Sequence, residues 1–457
     1  MRRRDFLRMA TGDEAVLTEE RARDLIDRIL AAARADETSV NLTGARRLNS
    51  RYAVNRITTA GETADLTAAI TARFGRRSAT LSVNEFGEES VTEAVLAAEA
   101  MARLAPEDPE SMPLLGPQEY GASEGWHEST AGLDAERRAE VAASAIEQAE
   151  AAPQDITAAG FMDVRSGAGA TGNSAGLFSY HAATSVAYSL TARTGDGTGS
   201  GWSGVGHRDW SRVDSEAMHS SAIRKAVGSR SPRPLEPGTY PVILEPQAVS
   251  DLIGLLVGSL DARSADEGRS AFSAPDGNRI GEQVVDDRVT LRSNPLAAGD
   301  APFAPDGLPR GPVPWIENGV LRNLAYSRFW AQEQGREPIS APRSIRMEGG
   351  EGTVEDLIAS TERAVLVTRL WYIRGVDPRT ILHTGLTRDG TFWVENGEIS
   401  HPVNNFRWND SPLFVLRNLE ELGRPVRVTA GGGGSSMREV PPLRASVFNF
   451  SSVSEAV

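Results

Sequence analysis

No cysteine occurs among these 457 residues, which excludes disulfides and thiolate metal ligands and leaves the redox state of the compartment without a mark on the chain. Lysine is nearly absent: Lys225 is the only one, and arginine carries the rest of the cationic work, a usage we read as a GC-rich coding bias rather than a thermal or saline adaptation. No run of about 18 apolar residues exists, so no membrane-spanning helix is expected. Positive charge is in deficit as well, and a net charge of −14 argues against a general binder of nucleic acid or anionic membrane, leaving room only for a local basic patch. The opening M-R-R-R-D-F-L-R-M is similar to the basic part of a twin-arginine export signal. Asp13 and Glu14 interrupt the apolar stretch of about 7 to 15 residues that such a signal needs, so a cytoplasmic protein is expected.

What is present suffices for two or three ordinary cores, with 40% hydrophobic residues. After a tail over residues 1–17, Thr18 is a plausible N-cap for a helix whose Leu25, Ile26, Ile29 and Leu30 form one stripe. Strand-like runs follow at Ser39–Thr43, Tyr52–Thr58, Ala64–Phe74 and Ser78–Val83, with turn signals at Gly61 and Gly75. Ser90 and Glu93 have capping-box spacing for a second helix. Pro106 to Glu124 reads as a mobile lid or linker. Asp134 opens a third helix, a second series of strands follows, and Asp214 starts a helix to about Val227. Three prolines between Ser229 and Gly238 exclude regular ladders and mark a boundary. The expected fold is α+β: a two-layer helix and antiparallel-sheet domain over 18–232, then a β-rich domain with antiparallel sheets and few helices over 233–457. The latter begins with a strand at Tyr240–Leu244 and a helix around Val249–Leu260, and a later helix starts at Thr353, with Asp356 completing a capping box.

The W-x-E-N-G pattern occurs twice, at Trp315–Gly319 and Trp393–Gly397, each time placing Asn-Gly between β-formers as a tight hairpin requires. Both copies are expected as an echo within one sheet. Together with G-T-Y-P-V-I-L-E-P at Gly238–Pro246, they resemble the TldD/PmbA (TldE) family of peptidase subunits. In zinc-bearing members of that family the matching window carries H-E-x-x-x-H, and a further ligand is a cysteine near the carboxy terminus. Here Glu245, Pro246 and Ser250 stand at the motif positions and no cysteine exists. The resemblance therefore implies the metal-free PmbA/TldE-like type: no catalytic residue or cofactor in this chain, with zinc held by a TldD-like H-E-x-x-x-H partner and short unfolded peptides as substrate. A solitary homo-oligomeric peptide-binding protein, a homodimer included, and an independent metallopeptidase with non-standard ligands are the alternatives.

Other features divide between chemistry and architecture. Gly199–Gly204 matches G-x-G-x-x-G, but the surrounding pattern is antiparallel, so a flexible interdomain loop is the better reading than a dinucleotide site. The histidines show no helical pair spacing; His207 and His219 are the pair to inspect for metal. By resemblance, Arg263, Asp266, Glu267 and Arg269 line a cleft, with a solvated charged loop equally plausible. Arg388 and Asp389, beside Arg374, Asp377 and Arg379, suit carboxylate binding by arginine forks or internal pairing that fixes a hairpin's register. Gly431 and Gly432, in the run Gly431–Gly434, would allow close approach of an extended peptide backbone or equally form a floppy loop.

Overall fold

The computed structural model describes residues 17–429 and 437–454, so Gly431 and Gly432 lie outside the described residues. The first half is one six-stranded antiparallel sheet, β1 (Glu37–Ala53), β2 (Arg56–Phe74), β3 (Arg77–Val83), β4 (Ile156–Asn173), β5 (Phe178–Thr194) and β6 (Ser200–His207), in the order β3-β2-β1-β4-β5-β6. Even-numbered side chains of β1, β4 and β5 pack under helices α1 (Glu19–Ala32), α2 (Glu88–Leu104), α3 (Ala135–Glu150) and α4 (Ser215–Gly228) in two apolar clusters. The strand period of two sends the odd-numbered residues to the opposite, helix-free face. Thr18, Asp134 and Asp214 cap α1, α3 and α4 as expected, each accepting a backbone N–H.

Several expectations need correction. The runs at Ser39–Thr43 and Tyr52–Thr58 are parts of longer strands joined by a two-residue hairpin at Val54-Asn55, both at positive φ (51° and 55°), and Gly61 lies inside β2. A β-branched residue in that conformation is strained, which is why no turn signal marks it. Helix α2 starts at Glu88 on Gly87, so Ser90 is inside its first turn and caps nothing. Gly199–Gly204 is no flexible loop: from Ser200 it is edge strand β6, laddered to β5 and backed by α4, whose Ala222 carbonyl would lie 2.1 Å from any Cβ at Gly201. The segment 106–124 is tied down, with Glu110 on Arg263, the Tyr120 hydroxyl on the Gly307 carbonyl and the Ser123 hydroxyl on the Asp300 carbonyl.

The second half holds a nine-stranded and a six-stranded sheet. The larger contains β7 (Gly238–Leu244), β8 (Arg363–Val367), β9 (Leu370–Asp377), β10 (Leu382–Thr387), β11 (Thr391–Glu395), β12 (Glu398–Pro402), β13 (Asn405–Asp410) and β14 (Leu443–Ser454). Its order is β9-β10-β13-β14-β7-β8-β11-β12, with Leu419–Leu422 added on β14, and β9 is an edge. Both Asn-Gly hairpins form, with φ of 50° and 76° at Asn318 and Gly319 and 55° and 81° at Asn396 and Gly397. They belong to different sheets, however, so the repeat is no echo within one sheet. Two pairings are parallel, β7 with β8 and Ile345–Met347 with Met437–Val440. Helix α5 (Pro246–Val257) follows β7 directly and starts three residues earlier than expected, with proline at its first turn where the missing N–H costs nothing. The Thr353–Asp356 capping box is present. Among the described residues no helix is long and apolar enough to cross a membrane.

Candidate functional site

The helix-free face of the first sheet, edge strand β9 and the first turns of α5 enclose a trough. Its middle is a hollow of about 530 Å³ lined by Arg47, Asp163 and Arg165 from the sheet, Gln247 and Asp251 from α5, and Leu370 to Ile373 from β9. Arg369 and Trp371 continue it into a hollow of about 380 Å³ bounded by the Val54 turn, Arg388 and Asp389. Arg165 continues it the other way, into about 350 Å³ bounded by His181, Arg208, Asp300 and Arg343.

Two charge groups stand out. Register places Arg47 of β1 directly opposite Arg165 of β4, a like-charge pair that destabilises a sheet unless compensated. Asp163, two residues along on the same face, accepts from both, at 2.6 and 3.1 Å. On the other wall Asp389, only 2% exposed, accepts from Arg369 at 3.1 Å and from the Ser200 hydroxyl at 2.6 Å, with Arg388 at 3.9 Å. The Arg369 guanidinium lies 4.2 Å from the Trp202 ring centre and 4.5 Å from that of Trp371. One arginine thus ties β6 of the first half to β9 of the second. Beside it the trough exposes Trp371 and Tyr372, and the free side of β9 leaves main-chain groups outside any ladder.

Asp251 faces this trough. Its carboxylate accepts from the Gln247 amide at 2.9 Å and from the Leu370 N–H at 3.2 Å. Burial nonetheless pushes its pKa up to about 7, against those bonds and the nearby Arg369 and Arg438 guanidinia. Because the folded value is above the ordinary one, the native state keeps a proton that the unfolded chain releases. The resulting stabilisation is complete below about pH 4 and is lost as pH rises through 7. Asp251→Asn removes that slope. Urea denaturation at pH 5 and pH 8 should show wild type losing on the order of 1–2 kcal/mol relative to the variant, a figure already reduced for solvent in the trough; equal slopes would contradict the assignment.

The motif positions do not make a zinc site. Glu245 is the N-cap of α5 and its carboxylate is held at 2.5 Å by Lys225. Pro246 offers no donor, and the Ser250 hydroxyl donates to the Thr429 carbonyl at 3.1 Å. Two of the three side chains are engaged and one has nothing to give, which does not fit the about three free ligands that a catalytic zinc requires. Among the described residues no group of three or more His, Asp or Glu side chains is gathered for a metal. His219 is enclosed by Tyr188, whose hydroxyl is 2.8 Å from its Nε2, while His207 accepts the Asp209 N–H, so this pair is not a metal couple.

Of the other candidates, Arg388 and Asp389 do line the trough. Arg263, Asp266, Glu267 and Arg269 do not: Arg263 pairs with Glu110 and Glu267, Arg269 with Glu267, and Asp266 accepts from the Trp330 indole and the Asn278 amide. Asp377 accepts from the Arg379 N–H and the Thr380 hydroxyl, while Arg374 stacks on Tyr372. Reading the sequence missed Arg47, Asp163, Arg165, Asp251, Arg369, Trp202 and Trp371. Strand alternation at residues 161–165 was the one available signal for the sheet wall; nothing local marks the rest, since they meet only across the two halves.

Comparison with known proteins agrees with this architecture. Residues 237–451 match the PmbA/TldA metallopeptidase C-terminal domain. A protein named metalloprotease from Methanothermobacter thermautotrophicus is 27% identical over 295 residues, 59% of this chain and 63% of that one. One named metalloprotease PmbA from Escherichia coli is 27% identical over 222 residues, 47% of this chain and 46% of that one. The matches therefore span from under half to somewhat under two thirds of those relatives. In fold, the crystal structure of TldE from Thermococcus kodakarensis superposes with a TM-score of 0.81 at 18% identity, covering 94% of this chain and 99% of that one. A Bacteroides thetaiotaomicron protein titled as a modulator of DNA gyrase gives 0.81 at 18% identity, covering 95% and 100%.

Proposed function

We propose that this chain, which belongs to the TldD/PmbA family, is a non-catalytic subunit of a heteromeric metallopeptidase acting in the cytoplasm. It holds a short, extended peptide in the trough while a TldD-like H-E-x-x-x-H partner supplies zinc. One observation carries the reading: a peptide-sized trough with an open strand edge lies against the helix that Glu245 caps and that bears Pro246 and Ser250, and the Glu245 and Ser250 side chains are committed to internal partners. An extended peptide added to β9 would gain main-chain hydrogen bonds from the strand edge and side-chain contacts from Trp371 and Tyr372.

Co-expression with an H-E-x-x-x-H partner from the same genome tests it. The two chains should co-purify, and the mixture should cleave an unstructured peptide at least about tenfold faster than either alone, a factor worth about 1.4 kcal/mol of barrier. Elemental analysis should find zinc with the partner and well below one equivalent in this chain. Failure to associate together with no gain in cleavage, or stoichiometric metal in the isolated chain, would reject the proposal.

A further inference from the structure

The three hollows adjoin in a row, because Arg369 and Trp371 line both the middle hollow and the one at the Val54 turn, and Arg165 lines both the middle hollow and the one at His181. Along β4 the trough runs from Thr157 to Gly169, about 40 Å at 3.4 Å per residue, room for about twelve extended residues. Its charge is opposite to that of the molecule. Among the described residues eight arginines and four aspartates line it, with no glutamate and no lysine, in a chain whose acidic residues outnumber its basic ones by 62 to 48.

The arrangement of these charges is as informative as their number. Asp163 is shared by Arg47 and Arg165, Asp389 by Arg369 and Arg388, and Asp300 pairs with Arg208 while Arg310 and Arg343 line the same hollow. Carboxylates are thus already seated in arginine forks along the trough, and around each the arginines are in excess. Sharing one carboxylate between two guanidinia leaves net positive charge in a partly desolvated groove, where it acts more strongly than at an open surface. The directly opposed Arg47 and Arg165 share the single carboxylate of Asp163, and an incoming carboxylate would give the pair a second counter-charge.

We infer that the trough selects peptides rich in acidic side chains, deepening the peptide-trough reading on which this rests. The edge of β9 matches a peptide main chain, and guanidinium forks match its carboxylates bidentately. A nucleic acid would satisfy the charge but not the strand edge.

The test is fluorescence anisotropy with full-length protein and labelled twelve-residue unstructured peptides carrying four Glu, four Gln or four Lys, beside a twelve-nucleotide thymidine strand, at 50 and 300 mM NaCl. The Glu peptide should bind at least about tenfold tighter than the Gln peptide at low salt, with the gap falling to about threefold at high salt as screening grows. Arg47→Gln with Arg165→Gln should remove most of the gap, weakening Glu-peptide binding at least about fivefold more than Gln-peptide binding at low salt. Should that pair fail to fold, Arg343→Gln on exposed surface gives the same reading at the far end of the trough. Equal affinity for Glu and Gln peptides would overturn the acidic preference while sparing the peptide trough. No binding of any peptide would overturn both, and tighter binding of the oligonucleotide than of the Glu peptide would overturn the acidic-peptide assignment in favour of nucleic acid.

Discussion

Arg369→Ala is expected to lower the free energy of unfolding by about 3 kcal/mol, a large loss for a single side chain. The cause is what the guanidinium leaves behind. Asp389 is almost fully buried at positive φ in the turn before β11. Without Arg369 it retains the Ser200 hydroxyl and a longer contact to Arg388, so a buried carboxylate loses its closest counter-charge. The stack between Trp202 and Trp371 disappears too, adding about 1 kcal/mol of cation–π attraction to the loss. Arg369→Lys restores charge but neither the planar stack nor the fork, and should recover less than half. Urea denaturation of the three proteins measures both steps. A loss below about 1 kcal/mol for the alanine variant would show that Ser200 and Arg388 satisfy Asp389 unaided. The same variant should weaken peptide binding, because the clamp joins the two walls of the trough.

The sequence foretold those parts of the fold whose signals are local. Capping residues work within one turn of helix, so Thr18, Asp134, Asp214 and the Thr353–Asp356 box are each legible and each present. Asn-Gly needs only its own backbone geometry, so both hairpins are legible as well. The Val54-Asn55 turn was hidden because neighbours force a β-branched residue into a conformation it disfavours. Strand lengths were under-read for a related reason: the long β1 contains Arg46, Arg47 and Asn49, whose polarity resembles a loop until Asp163, Arg165 and Glu62 appear beside them. The G-x-G-x-x-G segment misled because Gly199 and Gly201 serve close approach to α4 and Gly204 makes room for the Trp202 ring. Of the trough, Arg388 and Asp389 were legible from their own cluster, and the family motif drew attention to the start of the helix that supplies Gln247. Arg369, Asp251 and the opposed Arg47 and Arg165 gain their meaning from register and from contact between the halves, which no window of sequence contains.

The second large effect concerns the position where the family's motif would place a zinc-binding histidine. Lys225 on α4 meets Glu245 at the start of α5 at 2.5 Å, with side chains only 21% and 16% exposed. Removing either partner from such a pair strands a charge away from water, and Lys225→Met or Glu245→Met should each cost about 2–3 kcal/mol. Removing both replaces an ion pair by apolar contacts of similar volume, which is often neutral, so the double variant should lie within about 1 kcal/mol of wild type. The helix adds a smaller term, since a carboxylate at the N-terminus of α5 is favoured by its dipole; Glu245→Met should therefore be somewhat the worse single change. Lys225→Arg is expected to fail as a substitute. The lysine stem leaves α4 tight against Gly201, where an added Cβ would lie 2.7 Å from the Lys225 Cβ, and a planar fork needs different geometry from a compact ammonium. That failure would explain why a chain that otherwise uses arginine keeps one lysine here. Equilibrium unfolding of the four proteins closes the cycle. Additive losses of about 5 kcal/mol in the double variant would show that the two charges act independently, and that the motif position is not held by this pair.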